Sequence, residues 1–361
     1  MNIIPEEQYW NNTKLAQTLT QYEGLVNSGN YSIKVLPGRS RSKQVDLLFC
    51  LMSKEEWLRR WNAVQPEDRR ISVNDAPSEE QQQKSSSIRV TSYDLAVLDS
   101  IYTLYLNNRF EFTARQLLLT MSGEPGITSS SERKRDIEES IEKMRNLYLI
   151  IDCSEEFKRR KESERVIHGY LLNVEKNGNK YRLVNNELSP LYRYANITEQ
   201  LIKVRSSFLK KPTFHGRELS AEEERIKKLQ TTNNVILLKR EILRHLMLLA
   251  SDKNDYNFRV YYYLHMSNNG VDNGLFRRAG IERGTMNDSV WRNKYRSLNE
   301  TVETILMMLK MKKDENTNLP LFYKYEMVQE SSNSSKSEED EKSDRHPAVG
   351  FSIILNENQN K

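Results

Sequence analysis

Cysteine is nearly absent. Cys50 and Cys153 are the only two in 361 residues, which excludes a disulfide framework and fits a reduced, cytoplasmic compartment. Long apolar runs are missing as well: no window reaches about eighteen apolar residues, so no membrane-spanning helix is expected. The opening MNIIPEEQYWNN has neither the basic region nor the apolar core of a secretory signal. Histidine is scarce, and His168, His215, His245, His265 and His346 never stand at metal-ligand spacing to one another or to a cysteine. No G-x-x-x-x-G-K-[ST], G-x-G-x-x-G or H-E-x-x-H occurs. Nucleotide hydrolysis, dinucleotide chemistry and zinc hydrolysis therefore have no residues to rest on, and the expectation is a non-enzymatic protein without cofactor or metal. The run YYYLH at 261–265 invites comparison with a tyrosine that nicks DNA. Such enzymes usually add a metal-binding His pair separated by one apolar residue, and none occurs; the tyrosines read as strand or packing residues.

What is present is charge, unevenly placed. Apolar residues make up 37% and charged residues 29%, with a net charge of +5. Residues 203–313 hold 22 Lys/Arg against 12 Asp/Glu, the excess expected of a surface that meets phosphate.

Patterning divides the chain. Residues 1–62 read as a small N-terminal α+β unit: a helix over PEEQYWNNTKLAQTLTQYEGLV, strands YSIKVLP and QVDLLFCLMS, then a helix capped by Ser53. Residues 63–87, rich in Ser, Gln and Pro, read as a flexible linker. In 88–185, Leu95, Leu98, Ile101, Tyr102 and Tyr105 mark a helical face. A short FEF strand follows, then a helix from Thr113 to Gly123, a helix with Ile137, Ile141 and Met144 inward, and two β-rich runs, LYLIIDC and VIHGYLLNVEKNGNKYRLV. Helix, short strand, helix, helix, strand, strand is the order of a winged helix. Residues 186–230 read as a helical connector, with Ser220 and Glu223 spaced as a capping box. The same order recurs in 231–356, where the acidic, serine-rich stretch 329–348 reads as a disordered wing loop. The fold class expected is α+β, mainly helical: two tandem winged-helix domains with a small N-terminal extension.

The candidate reading helix is WRNKYRSLNETVETILMMLKMKK, 291–313. Trp291, Leu298, Val302, Ile305, Leu306 and Leu309 can share a buried stripe, while Arg292, Lys294 and Arg296 fall away from it in the first half. Arginine suits paired hydrogen bonds to guanine, and Asn293 suits adenine. Arg277, Arg278 and Arg283 precede this helix, where backbone phosphates would be met. The competing reading is a solvated basic face on a core helix; the surrounding element order favours DNA. The third helix of the first domain is charge-neutral, with Arg133, Lys134, Arg135, Lys143 and Arg145 against Glu132, Asp136, Glu138, Glu139 and Glu142. A packing or self-association role is preferred there, although Ser130, Arg133 and Lys134 remain candidate phosphate contacts at its start.

Two segments, SYDLAVLDSIYTLYLNNRFEFTARQLLLTMSG and NGLFRRAGI…WRNKYRSLNETVETILMML, give the chain a layout that resembles the replication initiator (Rep) proteins of plasmids and integrative mobile elements of Gram-positive bacteria. The resemblance covers about residues 88–356 and lies in layout and local character. It implies binding of repeated double-stranded DNA sites by the second domain, homodimer formation through the first, and recruitment of host replication machinery. The N-terminal 62 residues and the acidic wing loop depart from it. The alternatives are a transcriptional regulator of such an element, a DNA-processing nickase, and an interaction or inhibitor protein that does not bind DNA.

Overall fold

The chain opens on a strand. The computed structural model describes residues 4–21, 25–26, 30–35, 44–63, 87–157, 165–214, 218–250, 257–261, 274–313, 318, 320–329 and 348–355. Within it, β1 (Glu7–Asn11) precedes α1 (Lys14–Gln21), where a continuous helix was expected. The reason is the partner. β1 lies antiparallel to β11 (Leu201–Arg205), with Trp10 opposite Ile202, and a pairing so distant in sequence leaves no local trace. Alternation then sets the faces: Gln8 and Trp10 are fully buried. The strand is stitched to α3 (Ser92–Leu106) by Tyr9 N–H donating to Thr103 Oγ1 at 3.0 Å and Asn11 N–H donating to Asp99 Oδ1 at 2.8 Å.

The rest of the N-terminal segment is likewise built into a larger unit. Strand β3 (Asn30–Val35) pairs with β4 (Val45–Ser53), which pairs with β7 (Leu147–Asp152), which pairs with β8 (Val166–Tyr170), all antiparallel. Both faces of this sheet are apolar, so both need covering. One face carries Leu47, Phe49, Leu51, Leu149, Ile151 and Ile167, all fully buried. The other carries Cys50, Met52, Tyr148 and Ile150 and is covered by α2 (Lys54–Ala63), whose Trp57 stacks on Tyr148 with centroids 3.9 Å apart and planes at 7°. Ser53 caps α2 as expected, accepting from Glu56 N–H at 3.1 Å. Strands β3 and β4 of the expected N-terminal unit thus share one sheet with β7 and β8, and β1 pairs with β11, so the described part of that unit does not stand apart. Strands β2 (Leu25–Val26) and β5 (Ser87–Ile88) form a minor pair. Of the expected linker 63–87, residues 64–86 lie outside the described residues, while Ala63 ends α2 and Ser87 begins β5.

The first helical block follows its capping chemistry. Thr91 and Asp94 form a reciprocal capping box at α3, as do Thr113 and Gln116 at α4 (Ala114–Ser122). Strand β6 (Glu111–Thr113) precedes α4, and α5 (Ser131–Arg145) follows it. The hairpin of this block is β9 (Val174–Asn177) with β10 (Lys180–Leu183). Gly178 makes the two-residue connection, with φ of +60° at its first position. LYLIIDC, read with this hairpin from sequence, belongs instead to the four-stranded sheet as β7.

The chain divides into two units, Met1–Ser206 and Ser207–Lys361. Part of the expected connector therefore belongs to the first unit: α6 (Pro190–Ile197) and β11. Helix α7 (Ser206–Leu209) lies across the division. The second unit comprises α8 (Ala221–Lys228), α9 (Asn233–Ala250), β12 (Asn257–Tyr261), α10 (Leu275–Arg278), α11 (Asp288–Lys310), β13 (Lys324–Gln329) and β14 (Ala348–Ile354). Ser220 and Glu223 do form the capping box at α8. On α9, Ile236, Leu237, Ile242 and Leu246 are buried as their spacing predicts. Tyr261 ends β12; Tyr262, Tyr263 and residues 330–347 lie outside the described residues.

The architecture is α+β, and one topology occurs in both units. In the first, β6-β10-β9 is the strand order; in the second, β12-β14-β13. Each time the first strand of the block bonds to the last, and the middle strand forms the outer edge. Both free cysteines are buried, and burial pushes the Cys50 thiol up to about 11. No helix among the described residues is long and apolar enough to cross a membrane.

Candidate nucleic-acid interface

Helix α11 is two helices in one. From Leu298 onward it is core: Leu298, Val302, Ile305, Leu306, Met307, Met308 and Leu309 are buried. Each such side chain contributes about 1.5–3 kcal/mol relative to exposure, so the tail fixes the axis. Arg225 of α8 adds an ion pair to Glu303 at 2.7 Å. From Asp288 to Ser297 no residue is buried. This head is a continuous extension of an anchored helix, and its start is sealed by Asn287, whose side chain accepts from Val290 N–H at 2.9 Å.

The head presents its polar groups outward. Arg292, Asn293 and Arg296 are exposed, and their side chains make no hydrogen bond or ion pair among the described residues. Arg292 and Arg296, one turn apart, fall on one side of the helix. Lys294 is half-buried, its ammonium 5.9 Å from the centre of the Trp291 ring. Trp291 is itself half-buried, where the stripe had placed it in the core. It lies about two turns before the packed tail and meets the edge of Tyr295 at 6.2 Å. Two uncommitted guanidinium groups and a carboxamide on a rigid helical arm can donate to phosphate oxygens and to base-edge acceptors. The same face turns acidic at the exposed Glu300, which bounds the cationic surface to about three turns.

The three preceding arginines are not equivalent. Arg283 is exposed and paired with Asp288, while its Nε donates to the Met286 carbonyl at 3.3 Å. It closes the turn into α11. Arg277 is half-buried on α10. Arg278 departs from the phosphate-facing role expected of it: it is half-buried, and its Nη1 donates to His245 Nε2 at 3.2 Å. A guanidinium has no acceptor, so His245 is neutral with the proton on Nδ1, which donates to the Glu241 carbonyl at 2.7 Å. Burial, and then the Arg278 charge, holds His245 below the usual histidine range. Arg278 thus braces α10 against α9.

In the first unit the candidate residues lie together at the start of α5. Ser130 is spent as the cap, accepting from Arg133 N–H at 3.3 Å. Arg133 donates to the Thr128 carbonyl at 3.0 Å. Lys134 is exposed and makes no hydrogen bond or ion pair among the described residues. Further along, Arg135 pairs with Glu139, Lys143 with Asp94 and Arg145 with Glu142. The tight turn of the hairpin beside this helix is legible in the sequence, but its basic residues are not among the candidates: Lys180 and Arg182 are exposed and Lys176 reaches Glu138 of α5 at 3.2 Å. Their position on either side of the Gly178–Asn179 turn is the signal that could have flagged them. Among the described residues no cluster of His, Cys, Asp or Glu could hold a metal ion.

No protein-family model matches the chain, and no curated protein matches it. Two crystal structures of domains 2–3 of RctB are similar. One, spanning RctB residues 155–483, has a TM-score of 0.37 and 11% identity over 92% of this chain and 94% of that chain. The other, of selenomethionine derivatives, has a TM-score of 0.35 and 11% identity over 93% of this chain and 94% of that chain. Likeness at that level is too slight to assign a shared fold.

Proposed function

We propose that the chain is a non-enzymatic, sequence-specific binder of double-stranded DNA, built from two tandem winged-helix modules and reading its site through the head of α11. One observation carries this reading: the head is a solvent-exposed extension of a buried helix, and Arg292, Asn293 and Arg296 have no hydrogen bond or ion pair among the described residues. A helix entering the major groove needs this division, with end residues free for bases and phosphates and the remainder locked in a core. The repeated strand order β6-β10-β9 and β12-β14-β13 supports the winged-helix reading of both units. The role proposed is replication initiation of a plasmid or integrative element, which rests on the sequence resemblance, with self-association assigned to the first unit.

The test is a mobility shift with DNA flanking the gene. Arg292→Ala with Arg296→Ala should abolish discrimination of the specific site, each base contact being worth about 1–3 kcal/mol. Unchanged affinity in that double mutant removes α11 as the reader. Replication is separated from transcriptional control by asking whether the protein maintains a plasmid carrying only its own locus. Cleavage of that DNA with Mg²⁺ would place the chain among nicking enzymes instead.

A further inference from the structure

The buried tail fixes the axis of α11; the head, with no buried residue from Asp288 to Ser297, is steadied at its far end by what touches it along its own length. Tyr295 does this among the described residues. Its ring stands edge-on to the fully buried Phe276 of α10, with centroids 5.7 Å apart and planes at 81°. Its hydroxyl donates to the Ala348 carbonyl at 3.0 Å. Ala348 is the first residue of β14, opposite Gln329 at the end of β13, so the bond joins the reading helix to the loop end of the hairpin.

The acceptor is held rigidly. The β13–β14 register shifts between Val328 and Gln329, which sets Ala348 opposite Gln329. Two residues on, Gly350 lies so close to β12 that a Cβ there would stand 2.4 Å from the Val260 carbonyl oxygen and 2.9 Å from Tyr261 Cα. Only glycine allows that approach. The backbone around Ala348 is therefore pinned on two sides, and a hydrogen bond to it fixes direction as well as distance. Phenylalanine would satisfy the ring contact to Phe276 equally well; the hydroxyl is what links helix to strand.

We propose that Tyr295 is a positioning residue for DNA recognition: it sets the angle at which Arg292, Asn293 and Arg296 meet the duplex. This rests on the DNA reading proposed above. The experiment uses full-length Tyr295→Phe, a footprinted duplex from DNA flanking the gene, and a scrambled duplex of equal length. Affinity for the specific duplex should fall roughly fivefold, the effect of about one net hydrogen bond. Affinity for the scrambled duplex should hold, so that the specificity ratio falls by the same factor. Amide exchange should rise across residues 291–297 and stay unchanged across 302–309, and the thermal midpoint should move by no more than about 4 °C. An unchanged ratio overturns the proposal, as does an equal loss on both duplexes or unchanged exchange in the head. A wild-type protein that does not distinguish the two duplexes overturns the DNA reading itself, and the role of Tyr295 with it.

Discussion

Helices α5 and α11 hold the same place in their units, third in a helix, strand, helix, helix, hairpin order, yet they treat charge in opposite ways. On α5 most cations are committed within the protein: Arg135, Lys143 and Arg145 each pair with a carboxylate, and Arg133 holds the Thr128 carbonyl, which leaves Lys134. Asp94 ties that helix to α3, taking Lys143 and accepting from Ser140 Oγ at 2.7 Å. On α11 the anchor is apolar and distal, and the cations at its head stay available. Both helices are anchored by apolar side chains, Ile137, Ile141 and Met144 on α5 and the tail on α11, but α5 spends its cations along the same length that it packs, whereas α11 keeps anchor and cations apart.

The largest expected effect would break the comparison outright. Arg292→Ala with Arg296→Ala should weaken binding to the specific duplex by about 2–6 kcal/mol, while Arg133→Ala with Lys134→Ala should change it by less than about 1 kcal/mol. Fluorescence anisotropy on the same duplex decides, and the reverse ranking would move the reader to the first unit. Next, Asp94→Ala should lower the unfolding free energy by about 2–3 kcal/mol in urea titration, because it strips a buried acceptor from Ser140 and Thr91 together. The arginine double mutant should leave that quantity within about 0.5 kcal/mol of wild type. The two caps should then behave alike: Ser130→Ala and Asn287→Ala should each cost about 1 kcal/mol. If either also lowers DNA affinity beyond its stability cost, the capped turn itself contacts phosphate.

The smallest effect is a pH dependence confined to the second unit. His245 is neutral when folded and its pKa is depressed, whereas the unfolded chain protonates it near the ordinary value of 6.5. Between the two values the unfolded state binds more protons, so stability falls as pH drops below about 6.5 and is fully present above it. His245→Asn should flatten that slope in thermal denaturation between pH 5 and pH 7; an unaltered slope would assign it to other groups.

Much of the helical layout was legible because it is written locally. Leu298, Val302, Ile305 and Leu309 announce a buried face by spacing alone, and Ser220 with Glu223 announces a cap. What escaped was anything decided by distant partners. EQYWN reads equally as a helical turn until β11 is known, and LYLIIDC shows that it is a strand without showing which sheet it joins. Adjacent Arg277 and Arg278 look interchangeable in sequence. Only the position of His245, on another helix, turns Arg278 inward.

The pairing of Glu7 with Arg205 also sets a timetable. A ribosome adding about 5–20 residues per second needs roughly 10–40 s after making β1 to deliver its partner strand. Through that interval Trp10 lacks the β11 side of its burial site, and until Tyr170 is made the four-stranded sheet lacks β8 as well, so the nascent first unit is where a chaperone or an aggregate would find a handle. Closing contacts across so long a loop is also slow in itself. Refolding of the intact chain should therefore show its last phase in Trp10 fluorescence.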